Sequence, residues 1–152
     1  DLSENGNNFS LYDAASWNTD VPEETTTSTN THSLSFDGED DLVSFQNAVI
    51  PMTGDVSVQV WAYAEENNGY SNMVTQGDPT VGAYFISYES DDQMRISHEW
   101  SDINVTYPFG VWVQITVVKN DDGTKLYFDG QLVAETTEIV YCNRITEKTF
   151  IF

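Results

Sequence analysis

The densest chemistry in the chain lies in one short segment, Phe36-Asp37-Gly38-Glu39-Asp40-Asp41, where four carboxylates and a glycine sit between two alternating apolar runs. Carboxylates this close together can hold a hard cation, act as an acid–base pair, or serve as turn residues between strands. Calcium takes about six to eight oxygen ligands from carboxylates, amide carbonyls, backbone and water. A second oxygen-rich stretch opens the chain with Asp1, Asn5 and Asn7, where Gly6 permits a tight turn. The metal reading therefore rests on Asp1, Asn5, Asn7, Asp40 and Asp41, with calcium as a structural ion. Its competitor is that the same Asp and Asn residues only build turns. No run has EF-hand spacing, and His32, His98 and Cys142 lie too far apart in sequence to read as a zinc cluster.

Glycoside hydrolysis needs two carboxylates about 5–9 Å apart, one with a raised pKa. The nearest approach to a paired-acid strand motif is Glu99-Trp100-Ser101-Asp102, whose spacing is wrong, and no nucleophile-elbow motif is present. Sugar binding asks for less: an aromatic platform with a few polar groups for the hydroxyls. Four Trp, eight Tyr and eight Phe exceed what a core of this size requires. Trp61 and Trp112 fall inside apolar strands and are read as core. Trp17, Tyr70, Trp100 and Tyr107 fall at strand ends or in loops, where an exposed ring would serve as a platform. In QMRISHEW the alternation sends Met94, Ile96, His98 and Trp100 one way and Arg95, Ser97 and Glu99 the other. Arg95 and Glu99 then face outward, to grip hydroxyls or to pair with each other. The carbohydrate set is thus Tyr70, Arg95, Glu99, Trp100 and Tyr107.

Composition limits the partners. A net charge of −20 arises from 25 acidic against 5 basic residues. That field repels nucleic-acid phosphates and anionic membrane surfaces, and favours cations. No apolar run approaches the ~20 residues of a membrane-spanning helix. Cys142 is the only cysteine, so no disulfide forms within the chain, a pattern common in bacterial exported proteins. The start at Asp1 and the apolar end at Phe152 read as cuts in a longer polypeptide. Sequons at Asn8 and Asn104 occur at chance frequency.

The elements that must position these residues are strands. No sustained helical period appears, and β-branched and aromatic residues gather in short runs. Strands are expected at 33–36, 42–45, 56–64, 72–76, 83–88, 93–99, 111–119, 124–128, 131–135 and 149–152. Asp129-Gly130 between alternating segments predicts a two-residue hairpin. Val56, Val58, Val60 and Ala62 alternate with Ser57, Gln59, Trp61 and Tyr63, and since neither face is charged the strand is expected to be central and covered on both sides. The polar stretch 21–32 is expected to be a mobile loop. Short strands at this spacing imply an all-β sandwich or jelly roll.

Phe36-Asp37-Gly38-Glu39-Asp40-Asp41, the strand carrying Trp61, Gly110-Val111-Trp112, and Leu126-Tyr127-Phe128-Asp129-Gly130-Gln131-Leu132-Val133 are spaced motifs. Together they resemble the concanavalin A-like, laminin G-like jelly-roll domains of bacterial surface proteins. The opening Asp1–Asn8 is similar to the family's D-x-S-G-N-G-N loop, which the resemblance implies as a contributor to a calcium site. The family's usual first strand and its terminal acidic strand have no counterpart here, which implies a single domain, 1–152, excerpted from a longer chain. If nothing completes the sheet, its open edge would accept a partner's strand. The fold hosts many activities, so it does not fix one. The resulting expectation is a non-catalytic module of a secreted or cell-surface protein, binding polysaccharide or glycan. The alternatives are a structural subunit that pairs strands with a protein partner or with itself, and a glycosidase or lyase. FDGEDD itself is expected to be chiefly a hairpin turn.

Overall fold

The computed structural model describes residues 8–22, 31–51, 53–77, 84–97, 100–140 and 149–151. Twelve strands run in chain order: β1 Phe9–Tyr12, β2 Ser16–Asn18, β3 Ser33–Ser35, β4 Leu42–Phe45, β5 Val56–Ala62, β6 Ser71–Gln76, β7 Tyr84–Tyr88, β8 Met94–Ile96, β9 Val113–Asn120, β10 Gly123–Phe128, β11 Gln131–Thr136 and β12 Thr149–Ile151. They form a six-stranded sheet, β1-β4-β12-β6-β7-β8, a four-stranded sheet, β11-β10-β9-β5, and a two-stranded ribbon, β2-β3. Every pairing between named strands is antiparallel. This is the all-β jelly-roll sandwich that the strand spacing implies. No helix among the described residues is long and apolar enough to cross a membrane.

Period-two patterning builds the core. Along β9, Val113, Ile115 and Val117 are buried while Gln114, Thr116 and Val118 are half-covered. Leu126 joins them from β10, and Val74, Ile86, Met94 and Ile96 face them from the six-stranded sheet. The β10–β11 hairpin closes as its sequence predicts: Phe128 pairs with Gln131, and Asp129 and Gly130 both take positive φ, the geometry that matches strand twist. Gly123, at φ 133°, is a different case. A Cβ there would collide with the Thr136 carbonyl of β11, so the close approach of the two strands admits only glycine.

Three expectations are corrected. FDGEDD does not join a hairpin, because β3 pairs with β2 whereas β4 pairs with β1 and β12; the loop carries the chain between separate sheets. β5 is not central: it pairs with β9 alone among the described strands and forms the edge of its sheet. Its Ser57–Trp61 face is exposed rather than covered. The strand expected at 93–99 stops at Ile96, because Ser97 adopts φ 55° and the Ile96 amide bonds back to the Trp100 carbonyl at 3.0 Å. Much of the stretch expected to be mobile, 23–30, lies outside the described residues, as do His98 and Cys142.

One buried side chain holds the 46–51 connection to the six-stranded sheet. Gln76 is fully buried at the end of β6; its Oε1 accepts from the Val49 and Ile50 amides, each at 2.8 Å, and its Nε2 donates to the Ile50 carbonyl at 2.7 Å. These bonds satisfy loop backbone that no strand reaches. Gln76→Leu keeps the volume but removes all three bonds, and should cost about 3 kcal/mol or more in a denaturant titration. A loss within about 0.5 kcal/mol would show that the loop satisfies itself.

Candidate functional site

Because β5 ends its sheet, its edge borders a groove of about 670 Å³. Seven consecutive residues, 60–66, line that groove. Val60, Trp61 and Ala62 are the last residues of β5 and the other four lie just beyond it, so the groove borders the end of that edge strand. The opposite wall is the β2–β3 ribbon with the FDGEDD loop, and the far end is closed by the start of β6. A groove of this size lies within the range of small-ligand sites.

Its lip is aromatic. Trp61 and Tyr63 stand two residues apart on the outer side of β5 at 40% and 42% exposure, and Trp112 packs against Tyr63 with ring centroids 5.8 Å apart. Trp112 also donates from Nε1 to Asp20 Oδ1 at 3.4 Å, linking the lip to the chain beyond β2. Tyr70, 48% exposed, lines the same groove. Asn67 fixes the loop that carries it, accepting from the Gly69 amide at 2.7 Å and donating to the Glu89 carbonyl at 2.9 Å. Below the lip lies a cluster of three rings. Tyr107 stacks on Tyr88 at 5.3 Å, and Phe109 meets both edge-on at 4.9 and 5.0 Å.

The FDGEDD wall is organised by Asp41. This carboxylate is buried; Oδ1 accepts from the Ala14 amide in the β1–β2 turn and Oδ2 from the Asp37 amide at 2.9 Å. Asp37 in turn accepts from the Glu39 amide at 2.9 Å, a local side-chain turn. Asp37, Asp40 and Asp41 bring one carboxylate oxygen each within 4.8 Å of one another. Three hard oxygens this close could supply part of a calcium shell, while the hydrogen bonds from backbone amides to Asp41 and Asp37 show that two of the three also build the loop.

The residues singled out from sequence separate here. Tyr70 and Tyr107 both line the groove, but Tyr107 is 1% exposed and forms part of its floor rather than a platform. The cause is the 105–107 segment: the Met94 amide bonds to the Val105 carbonyl and the Tyr107 amide to the Asp92 carbonyl, both at 2.8 Å, which draws the ring beneath β7 and β8. Trp100 is buried as well, folded back beside Ile96 by the turn at Ser97, and is core. Arg95 lies outside the groove lining and pairs with Glu89 at 2.7 Å. Glu99, Asp1, Asn5 and Asn7 lie outside the described residues. Trp61 and Trp112, read as core, belong to the lip. The alternation in VSVQVWAYA already placed Trp61 and Tyr63 with Ser57 and Gln59, and those two polar residues were the signal of a solvent face.

Comparison with known proteins agrees with this architecture. Domain 4 of AbnA, a GH43 extracellular arabinanase from Geobacillus stearothermophilus, solved in complex with arabinotriose, superposes with a TM-score of 0.67 at 12% identity, covering 94% of this chain and 72% of that one. The binding domain of botulinum neurotoxin serotype G gives a TM-score of 0.51 at 12% identity, over 97% of this chain and 42% of that one. At these identities the likeness is one of fold. No curated protein matches the sequence. The Laminin_G_3 family model, described as the concanavalin A-like lectin/glucanases superfamily, matches residues 37–151, and the chain belongs to that superfamily.

Proposed function

We propose that the chain is a non-catalytic carbohydrate-binding module of a secreted or cell-surface protein, and that polysaccharide or glycan lies in the groove along β5. The observation that carries this reading is the aromatic lip. Trp61, Tyr63 and Tyr70 each expose two-fifths or more of their surface and all three line one groove, whereas the other strongly exposed rings, Phe9, Tyr12 and Trp17, lie outside it. Exposed apolar surface concentrated at a groove marks a binding site. Flat rings stack on the C–H faces of sugars, and the polar wall meets their hydroxyls. The arabinotriose bound to AbnA domain 4 supports the ligand class. The superfamily holds both lectins and glucanases. Binding without catalysis is favoured because Asp41, the buried carboxylate of the groove, has both oxygens engaged by backbone amides, while Asp37, Glu39, Glu65 and Glu66 are exposed. A general acid needs a shielded, proton-retaining carboxyl.

The unpaired edge of β5 favours a second reading, in which a protein partner, or another copy of the chain, adds a strand there. Calcium at Asp37, Asp40 and Asp41 is a further part of the proposal, as an ion that stiffens the groove wall.

On an array of immobilised neutral polysaccharides the protein should bind at least one glycan. Trp61→Ala and Tyr63→Ala should each weaken that binding roughly tenfold, the equivalent of about 1.4 kcal/mol, with the fold retained by circular dichroism. Absence of binding to every glycan, with and without a chelator, would favour strand pairing instead. Millimolar calcium should raise the melting temperature by several degrees, by linkage to the folded state, and Asp40→Asn should abolish the rise. An identical melting temperature with calcium and with chelator would rule the ion out.

A further inference from the structure

Two polar side-chain atoms among the described residues are sealed from solvent without a hydrogen bond, Asn72 Oδ1 and Tyr107 Oη, and both residues line the groove. Buried polar atoms are almost always satisfied, so two exceptions in one place call for an explanation. Neither is a loosely held group. Tyr107 is fixed by the hydrogen bond from its amide to the Asp92 carbonyl, by its stack on Tyr88 and by its edge-on contact with Phe109. The backbone of Ala64 lies near its hydroxyl without completing a well-aligned bond. Burial, reinforced by Tyr88 and opposed by Ala64, pushes the hydroxyl above the ordinary tyrosine range, so it is a neutral O–H with a proton to give. Asn72 sits where the β6–β7 register slips, its pairing with Ser87 and that of Val74 with Ile86 leaving Met73 unmatched. Such irregularities re-aim side chains.

An O–H donor and a C=O acceptor lining one groove complement a hydroxyl, which both accepts and donates. Among the described residues the groove's charged lining is acidic throughout: Asp20, Asp37, Glu39, Asp41, Glu65 and Glu66, with no Lys, Arg or His. A uronate or sialate would meet repulsion from these carboxylates and from Asn72 Oδ1. We propose that Asn72 and Tyr107 determine specificity in this groove, taking a hydroxyl of an uncharged sugar unit that reaches beneath the aromatic lip while the carboxylate walls exclude acidic sugars. This rests on the glycan-binding reading of the same groove. Because both atoms are covered in the free protein, the groove opens by about the width of a hydroxyl to engage them. The bond formed then replaces no bond to water, so its gain is larger than at an open surface.

The test is calorimetric titration of the whole chain with arabinotriose, cellotriose and trigalacturonate. The wild type should bind a neutral trisaccharide and ignore trigalacturonate. Tyr107→Phe should lose about tenfold in affinity while its melting temperature stays level or rises, since it removes an unsatisfied group. Asn72→Ala should lose affinity in the same way, an independent check should either variant fold poorly. Wild-type affinity in both variants would overturn the role of the floor and leave the glycan reading standing. A fall of several degrees in the melting temperature of Tyr107→Phe would show that the hydroxyl is already satisfied, and would also overturn it. Tighter binding of trigalacturonate would refute the neutral ligand. Failure of the wild type to bind any of the three sugars would remove the glycan reading and this inference together.

Discussion

The geometry of the site depends on one buried carboxylate. In a chain of net charge −20, Asp41 is withdrawn from water, which is costly for an anion unless donors replace the lost solvent. Two backbone amides do so, one from Ala14 across the fold and one from Asp37 within its own loop. Charge-assisted bonds of this kind are stronger than neutral ones. They join the β1–β2 turn, the FDGEDD segment and the start of β4 at one point. The ribbon and loop so anchored line the groove beside β5.

The other wall follows from sheet order. β9 and β10 have neighbours on both sides and carry fully buried Ile115, Val117 and Leu126, whereas β5 has one neighbour among the described strands and keeps its inner Val and Ala residues only partly covered. An unpaired edge is a liability for most proteins, inviting aggregation. Here the ribbon shields it, and the space between becomes the groove. The features that cost stability, exposed Trp61 and Tyr63 and the unsatisfied Tyr107 and Asn72, gather in that space. Several local rules are broken together in this space, as expected of a binding site.

The sandwich was legible in sequence because its signals are local. Alternation in β9 and the Asp-Gly turn of β10–β11 each depend on neighbours a few residues away. The site was less legible because it depends on pairings between distant segments. FDGEDD looked like a hairpin since apolar strands flank it, and nothing local reveals that β3 and β4 pair with other partners. The short ribbon strand β2 carries no apolar alternation to announce it. Trp100 and Tyr107 looked like loop aromatics, and the loop is real, but the positive φ at Ser97 and the bonds from β8 to residues 105–107 fold it back onto the core. Trp61 erred the other way: an edge strand and a central strand have the same composition when the outer face carries aromatics.

The central claim, that a sugar lies against the lip of the β5 groove, is tested most directly by the indole resonances of the four tryptophans in a two-dimensional NMR titration with a saturating neutral oligosaccharide. The account predicts that the Trp61 and Trp112 indole signals shift together and saturate, while that of buried Trp100 stays in place. Saturable binding that leaves Trp61 and Trp112 unmoved would contradict it.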